Sequence, residues 1–208
     1  MPRALRLPAV LTTLALAGWL ASALAMREMT SMDGPGAFGS FLWLWIAMAA
    51  GMMLPALVPA ASLAMAVGRS GVGFVGAYFA LWAAAGVVAF EAARALTGAS
   101  RWLTVGAVAA AAAYQLSPLK EACLHRCRSP LGSLLRRRAV AAGLEHGLFC
   151  LGCCWALMLA LIALGVGSMF WMAAVAAAIF LEKATVLGTR ASAPVALALI
   201  GTAVWIAL

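Results

Sequence analysis

Seven runs of apolar residues, at 7–26, 38–66, 72–92, 102–119, 143–165, 169–187 and 193–208, take up nearly the whole chain. About 20 mostly apolar residues carry a helix across a bilayer, and in lipid a spanning segment must satisfy its backbone N–H and C=O groups internally. Six of the runs approach or exceed that length and the last is short, so the expected fold is an all-α polytopic membrane bundle of six to seven helices. Composition agrees, with 66% apolar and 10% charged residues, far outside the range of a soluble domain. No segment is long or polar enough for a second folding unit, and residues 1–208 read as one membrane domain. Arg3, Arg6 and the "ALA" at 23–25 also resemble a secretory signal. The length of the run from Leu7 to Met26 favours a retained first helix.

Orientation follows from the basic residues of the short loops. With the N-terminus in the cytoplasm, Arg3, Arg6, Arg69, Lys120, Arg126, Arg128, Arg136, Arg137, Arg138, Lys183 and Arg190 are inside, against Arg27, Arg94 and Arg101 outside. The expected location is a bacterial inner membrane. The net charge of +8 then needs no nucleic acid, because the "RRR" at 136–138 sits where a cytoplasmic loop meets anionic lipid.

The same orientation brings Cys123, Cys127, His146 and Cys150 to the cytoplasmic side, where thiols stay reduced. Five cysteines there point to metal binding or redox chemistry rather than to a disulfide framework. In "HGLFCLGCCW" (146–155), a helical turn of about 100° per residue sets Cys150, Cys153 and Cys154 at about 40°, 340° and 80° from His146. One imidazole and three thiols thus share a face. The rise from His146 to Cys153 is about 10 Å, so one ion would use adjacent members only. In "CLHRC" (123–127), Cys123 and Cys127 meet on one face if the fourth helix continues past Pro118, with His125 pointing away. Cysteine also serves as a small apolar filler, but filler is out of place between Lys120, Arg126 and Arg128.

Met48 and Met52, four residues apart in "MAAGMMLP", share a face in the second run, with Met53 off it. Pro55 and Pro59 follow, and each frees a carbonyl four residues earlier, which membrane depth tolerates only against protein or a wet cavity. Methionine pairs usually pack, but thioethers beside thiolates select Cu(I), with Zn possible through cysteine and histidine. Of the buried ionisable residues, Glu91 suits pairing with Arg94. Glu182 is expected at the level of the cysteines, where it would neutralise a cation, accept a proton or pair with a loop arginine.

The segments "MAAGMMLP", "YQLSPLKEACLHRCRSP", "HGLFCLGCCWALM" and "LEK" together resemble the bacterial family of predicted metal-binding integral membrane proteins, long described as a domain of unknown function. Some of its members are linked with copper supply to a copper oxidase. The resemblance runs from about Trp43 to Arg190. It implies that the family's cysteine signature falls on Cys123, Cys127, Cys150, Cys153 and Cys154, with His146 in the same block and Met48, Met52 and Met53 in the methionine block. Gly51, Gly167 and Ser168 depart from the family pattern.

Three functions compete on these residues. The first is a membrane protein that takes Cu(I) and delivers or translocates it towards a cuproenzyme or an efflux route, with a copper-dependent enzyme or a metallochaperone as partner. Its metal residues would be Cys123, Cys127, His146, Cys150, Cys153, Cys154, Met48 and Met52. The second is a membrane thiol–disulfide oxidoreductase using Cys150 and Cys153. A helix, however, holds cysteines three apart too rigidly for a good disulfide. The third is a structural subunit of a larger complex. No nucleotide motif or hydrolytic constellation is present, so ATP-driven pumping is not expected, and the chain reads as a metal handler rather than an enzyme.

Overall fold

The computed structural model describes residues 3–29, 36–96, 98, 100–165 and 167–208, with side chains omitted for residues 3–6 and 28–29. Among them there are helices and no strands: α1 (Arg3–Met29), α2 (Phe38–Ala66), α3 (Gly71–Leu96), α4 (Arg101–Gln115), α5 (Pro118–Arg128), α6 (Leu131–Arg136), α7 (Ala139–Gly165), α8 (Met169–Ala184), a 3-10 turn (Gly188–Ala191) and α9 (Ser192–Ala207). Each of the seven apolar runs falls largely on helix, and α2 coincides with the run 38–66.

Five helical segments are long and apolar enough to cross a membrane, those within α1, α2, α3 and α7 and the one formed by the 3-10 turn with α9. The two short members are α4 and α8, at 15 and 16 residues. The run 102–119 is therefore not one helix. Pro118 disfavours helical backbone at the residue before it, and Ser117 is extended and caps the next helix, its hydroxyl accepting from the Lys120 amide at 3.2 Å. The chain turns there and lays α5 against α7.

A helix apolar on every side belongs at the centre of a bundle. α2 and α7 bury 61% and 56% of their apolar windows inside the molecule, against 28% for the other three long segments. α1 and α3 pack on α2, and α3, α4, α5, α6 and α8 pack around α7. The carbonyl of Gly51, freed by Pro55, accepts from the Trp19 indole at 3.1 Å. The expected Glu91–Arg94 pair forms at 3.3 Å on the surface.

Small residues let the helices approach closely. At Gly143 a Cβ would stand 2.2 Å from the Phe74 carbonyl oxygen, which is backbone and cannot swing aside. Gly143→Leu is expected to prise α3 from α7 and to cost about 3 kcal/mol, read as a lowered thermal midpoint of the detergent-solubilised protein. An unchanged midpoint would mean that this contact is not close.

Candidate metal centre

α7 supplies the ladder that the wheel describes. Cys150, Cys153, Cys154 and His146 are all buried. The Cys153 and Cys154 thiols donate to the Cys150 carbonyl at 3.1 and 2.9 Å. α5 supplies the second set, with Cys127 buried, Cys123 half-buried and His125 exposed, as the spacing predicts. Gly152 makes this approach possible, since a Cβ there would lie 2.8 Å from the Cys123 sulfur. The Tyr114 hydroxyl donates to the Gly152 carbonyl at 2.7 Å and ties α4 to the same turn.

The Cys127 side chain lies against those of Cys150 and Cys153, and these contacts, together with burial, push its thiol well above the usual cysteine range. Cys127 thus joins α5 to α7. All five cysteines are free.

Two residues that the sequence reading did not assign to the cluster complete it. Lys183, on α8, donates from its ammonium to the Cys150 sulfur at 2.8 Å and lies 3.9 Å from the Cys154 sulfur and 3.6 Å from the Met53 sulfur. The Tyr78 hydroxyl, from α3, is 2.8 Å from the Cys150 sulfur. A phenol in the middle of an apolar helix needs a polar partner, so Tyr78 was detectable as a residue seeking one. The backbone around Lys183 is held by Arg128, whose guanidinium donates to the Glu182 and Lys183 carbonyls at 2.6 and 3.1 Å.

The expectation for Glu182 is corrected: its carboxylate is ion-paired with Lys120 and accepts from Gln115 at 3.1 Å and Ser192 at 3.3 Å. Burial lowers the Lys120 ammonium from its ordinary value, and the Glu182 carboxylate opposes that shift. The Met53 sulfur, which the wheel sets off the Met48–Met52 face, lies beside the Lys183 ammonium, and Met48, Met52 and Met53 are all buried in the core that also holds the cysteines. His146 stacks between Phe74 and Tyr78, at 5.6 and 5.9 Å between ring centres. It lines an adjoining polar cavity of about 180 Å³ with Arg126, Ser133 and Glu145. Among the described residues no three His, Cys, Asp or Glu side chains already converge as a ready metal site. The lysine ammonium lies between the sulfurs of Cys150 and Cys154.

A model of the copper chaperone family PpoB2 matches residues 42–206, a stretch holding all of α3–α8 and every residue of this cluster. No curated protein and no solved structure matches the chain significantly.

Proposed function

Since the chain belongs to the PpoB2 copper chaperone family, we propose that it is an integral protein of a bacterial inner membrane that takes Cu(I) as cargo on sulfur and passes it towards a cuproenzyme or an efflux route. The observation that carries this reading is the convergence on Cys150 of a thiol from α5, a phenol from α3 and an ammonium from α8, with the Met53 thioether beside that ammonium. Cu(I) is selected by soft thiolate and thioether donors. Cys127 and Cys150 are the primary pair, with Cys153 as the third donor and Cys123 nearest the surface. Cys154, Met53 and the deeper Met48 and Met52 continue the sulfur path, and His146 sits in the wall of its entrance.

Lys183 gives this set a charge balance suited to a low-dielectric interior, where uncompensated charge is costly. Two thiolates and one Cu(I) sum to one negative charge, and the ammonium brings the total to zero. Before the cargo arrives, the ammonium is the cation against which the sulfurs are held. Lys183→Met is therefore expected to weaken Cu(I) binding about tenfold or more, the usual scale for losing a hydrogen bond to a charged partner. Chelator competition measures it, and unchanged affinity would remove the lysine from the site. Zn(II) needs a third thiolate for the same balance, which makes it the second candidate.

Carrying an ion calls for no bond-making residue, in keeping with a chaperone family. The thiol-exchange reading has less support, because Cys150 and Cys153 are each 2% exposed and exchange requires access for the attacking thiolate. The basic-residue asymmetry supports a cytoplasmic N-terminus and a cytoplasmic mouth at α5.

The test is an anaerobic titration of the detergent-solubilised protein with Cu(I) against a bathocuproine-type competitor. The reading predicts that the protein withdraws copper from the chelator; if the chelator keeps it all, the cysteines are packing. In a Cys123-only variant, an impermeant thiol reagent should label inverted vesicles and spare right-side-out ones. The reverse pattern would put the mouth outside.

A further inference from the structure

The polar cavity of about 180 Å³ is walled by α3, α5, α6 and α7, and its polar lining is Arg126, Ser129, Ser133, Arg136, Glu145 and His146. The one acid among them is already neutralised. Arg137 forms an ion pair with Glu145, and the Ser133 hydroxyl donates to the same carboxylate at 3.0 Å. No ion pair among the described residues engages Arg126 or Arg136, and both are exposed. Arg126 stands over the Phe149 ring, its Cζ 5.2 Å from the ring centre, so an aromatic face rather than an acid holds that charge in place. Two guanidiniums without an acid partner therefore border one cavity.

His146 lines the same cavity and is 6% exposed. Its ring packs against Phe74 and Tyr78, and the Tyr78 hydroxyl is engaged with the Cys150 sulfur at 2.8 Å. Among the described residues, the side-chain polar atoms sealed from solvent without a partner belong to Trp82 and Gln115. His146 makes no hydrogen bond to a described residue and is not one of them, so its ring stays reachable from the space it lines. The imidazole thus stands between the cavity and the phenol that touches the thiol cluster.

At about 30 Å³ for each water of the liquid, the cavity holds the equivalent of about six waters. That is room for a small organic acid and far too little for a protein domain. Cu(I) is soft, and in a reducing compartment thiolates are its natural carriers. Two thiolates on one Cu(I) leave one negative charge, to which any carboxylate on the carrier adds.

We propose that the cavity among α5, α6 and α7 receives Cu(I) as its anionic complex with a small thiol that bears a carboxylate, the carboxylate at Arg126 and Arg136 and the copper passed by way of His146 to the cysteines. The inference rests on the copper-carrying reading above and names the form in which the cargo arrives. The exchange balances without an oxidant. Copper leaves two carrier thiolates for two protein thiols, the protein's two protons move to the carrier, and both complexes carry one negative charge with copper as Cu(I) throughout.

Equilibrium titration of the full-length protein against a bathocuproine-type competitor tests the copper reading by itself. Loading is then followed anaerobically, as copper retained after rapid desalting, from Cu(I) complexes of two thiols that differ in one group: mercaptopropionate with a carboxylate and mercaptoethanol with a hydroxyl. The ionic strength is about 1 M, where screening confines bare surface attraction to about 3 Å. The expected result is loading about tenfold faster from the mercaptopropionate complex, the scale of one hydrogen bond to a charged group. Arg126→Gln with Arg136→Gln should bring the two rates together, whereas Arg126→Lys with Arg136→Lys should keep most of the difference. His146→Phe, which keeps a ring between Phe74 and Tyr78, should slow loading from both complexes. Equal rates in the wild-type protein, a preference that survives the two glutamines, or wild-type loading by His146→Phe would each overturn the proposal while the equilibrium titration still showed copper bound. So would loss of the preference on adding inorganic phosphate at the concentration of the thiol, which would make the cavity a phosphate site.

Discussion

Cys127→Ser and Cys150→Ser are each expected to abolish tight Cu(I) binding, and the double variant to be no worse than either single one. The reason lies in their places on different helices. Cys127 arrives on α5 and Cys150 on α7, and their side chains meet inside the bundle, so under the proposed function each would be half of a two-helix clamp on a soft ion. A serine hydroxyl fills nearly the same space but offers a hard oxygen that holds Cu(I) poorly, and no water is near at 2% exposure of Cys150. Effects of residues that act as one unit do not add. Cys123→Ser, at the half-buried edge, should lose less, and His125→Ala should lose nothing, because that ring is exposed. Chelator competition on variants with wild-type helix content and melting checks the series. Simple additivity of the two main losses would mean two separate sites.

Lys120→Met is expected to destabilise the fold by about 3–5 kcal/mol, the cost of stranding one charge of a buried pair. Lys120 and Glu182 are each 1% exposed at the side chain and ion-paired. The ammonium also donates to Ser192 at 3.2 Å, and Gln115 donates to the same carboxylate. Lys120 thereby joins α5 to α8 and α9, and Glu182 neighbours Lys183 in sequence, so the knot fixes the residue that reaches the thiols. The paired change Lys120→Met with Glu182→Leu removes both charges and should recover much of the loss, since replacing a whole buried ion pair by apolar groups is often close to neutral. Thermal unfolding in detergent compares the three proteins. A single variant as stable as the wild type would mean that water or lipid heads reach Glu182.

Much of this architecture is legible in the chain because spacing and composition are local properties. The run 38–66 gives the bounds of α2, and the i, i+4 spacing of Cys123 and Cys127 gives their common face. What a helical wheel lacks is the neighbour. It orders directions around one axis but does not say which helix stands in each, so it does not reveal that the Met53 sulfur comes to lie beside the Lys183 ammonium. In the same way Glu182, a plausible counterion by depth, is committed to Lys120, while Lys183 turns to the thiols. Successive residues of a helix point about 100° apart, enough to send Glu182 and Lys183 to different sites. The break between α4 and α5 was marked in "QLSPLK" by a serine cap and a proline in the first turn, and the apolar run through it conceals the stop. Five helical segments rather than seven clear the length for a bilayer because that serine–proline stop ends α4 at Gln115 and the last turn of α8 closes at Ala184, under the Arg128 cap.

Copper held by the thiols of α5 and α7, as proposed, would carry a distinct spectroscopic signature. Copper-edge X-ray absorption of the anaerobically loaded, full-length protein tests it most directly. The expected result is a Cu(I) edge with a first shell dominated by sulfur, losing sulfur scatterers in the Cys127→Ser protein. A shell of nitrogen and oxygen alone, or a sulfur shell unchanged by that substitution, would contradict it.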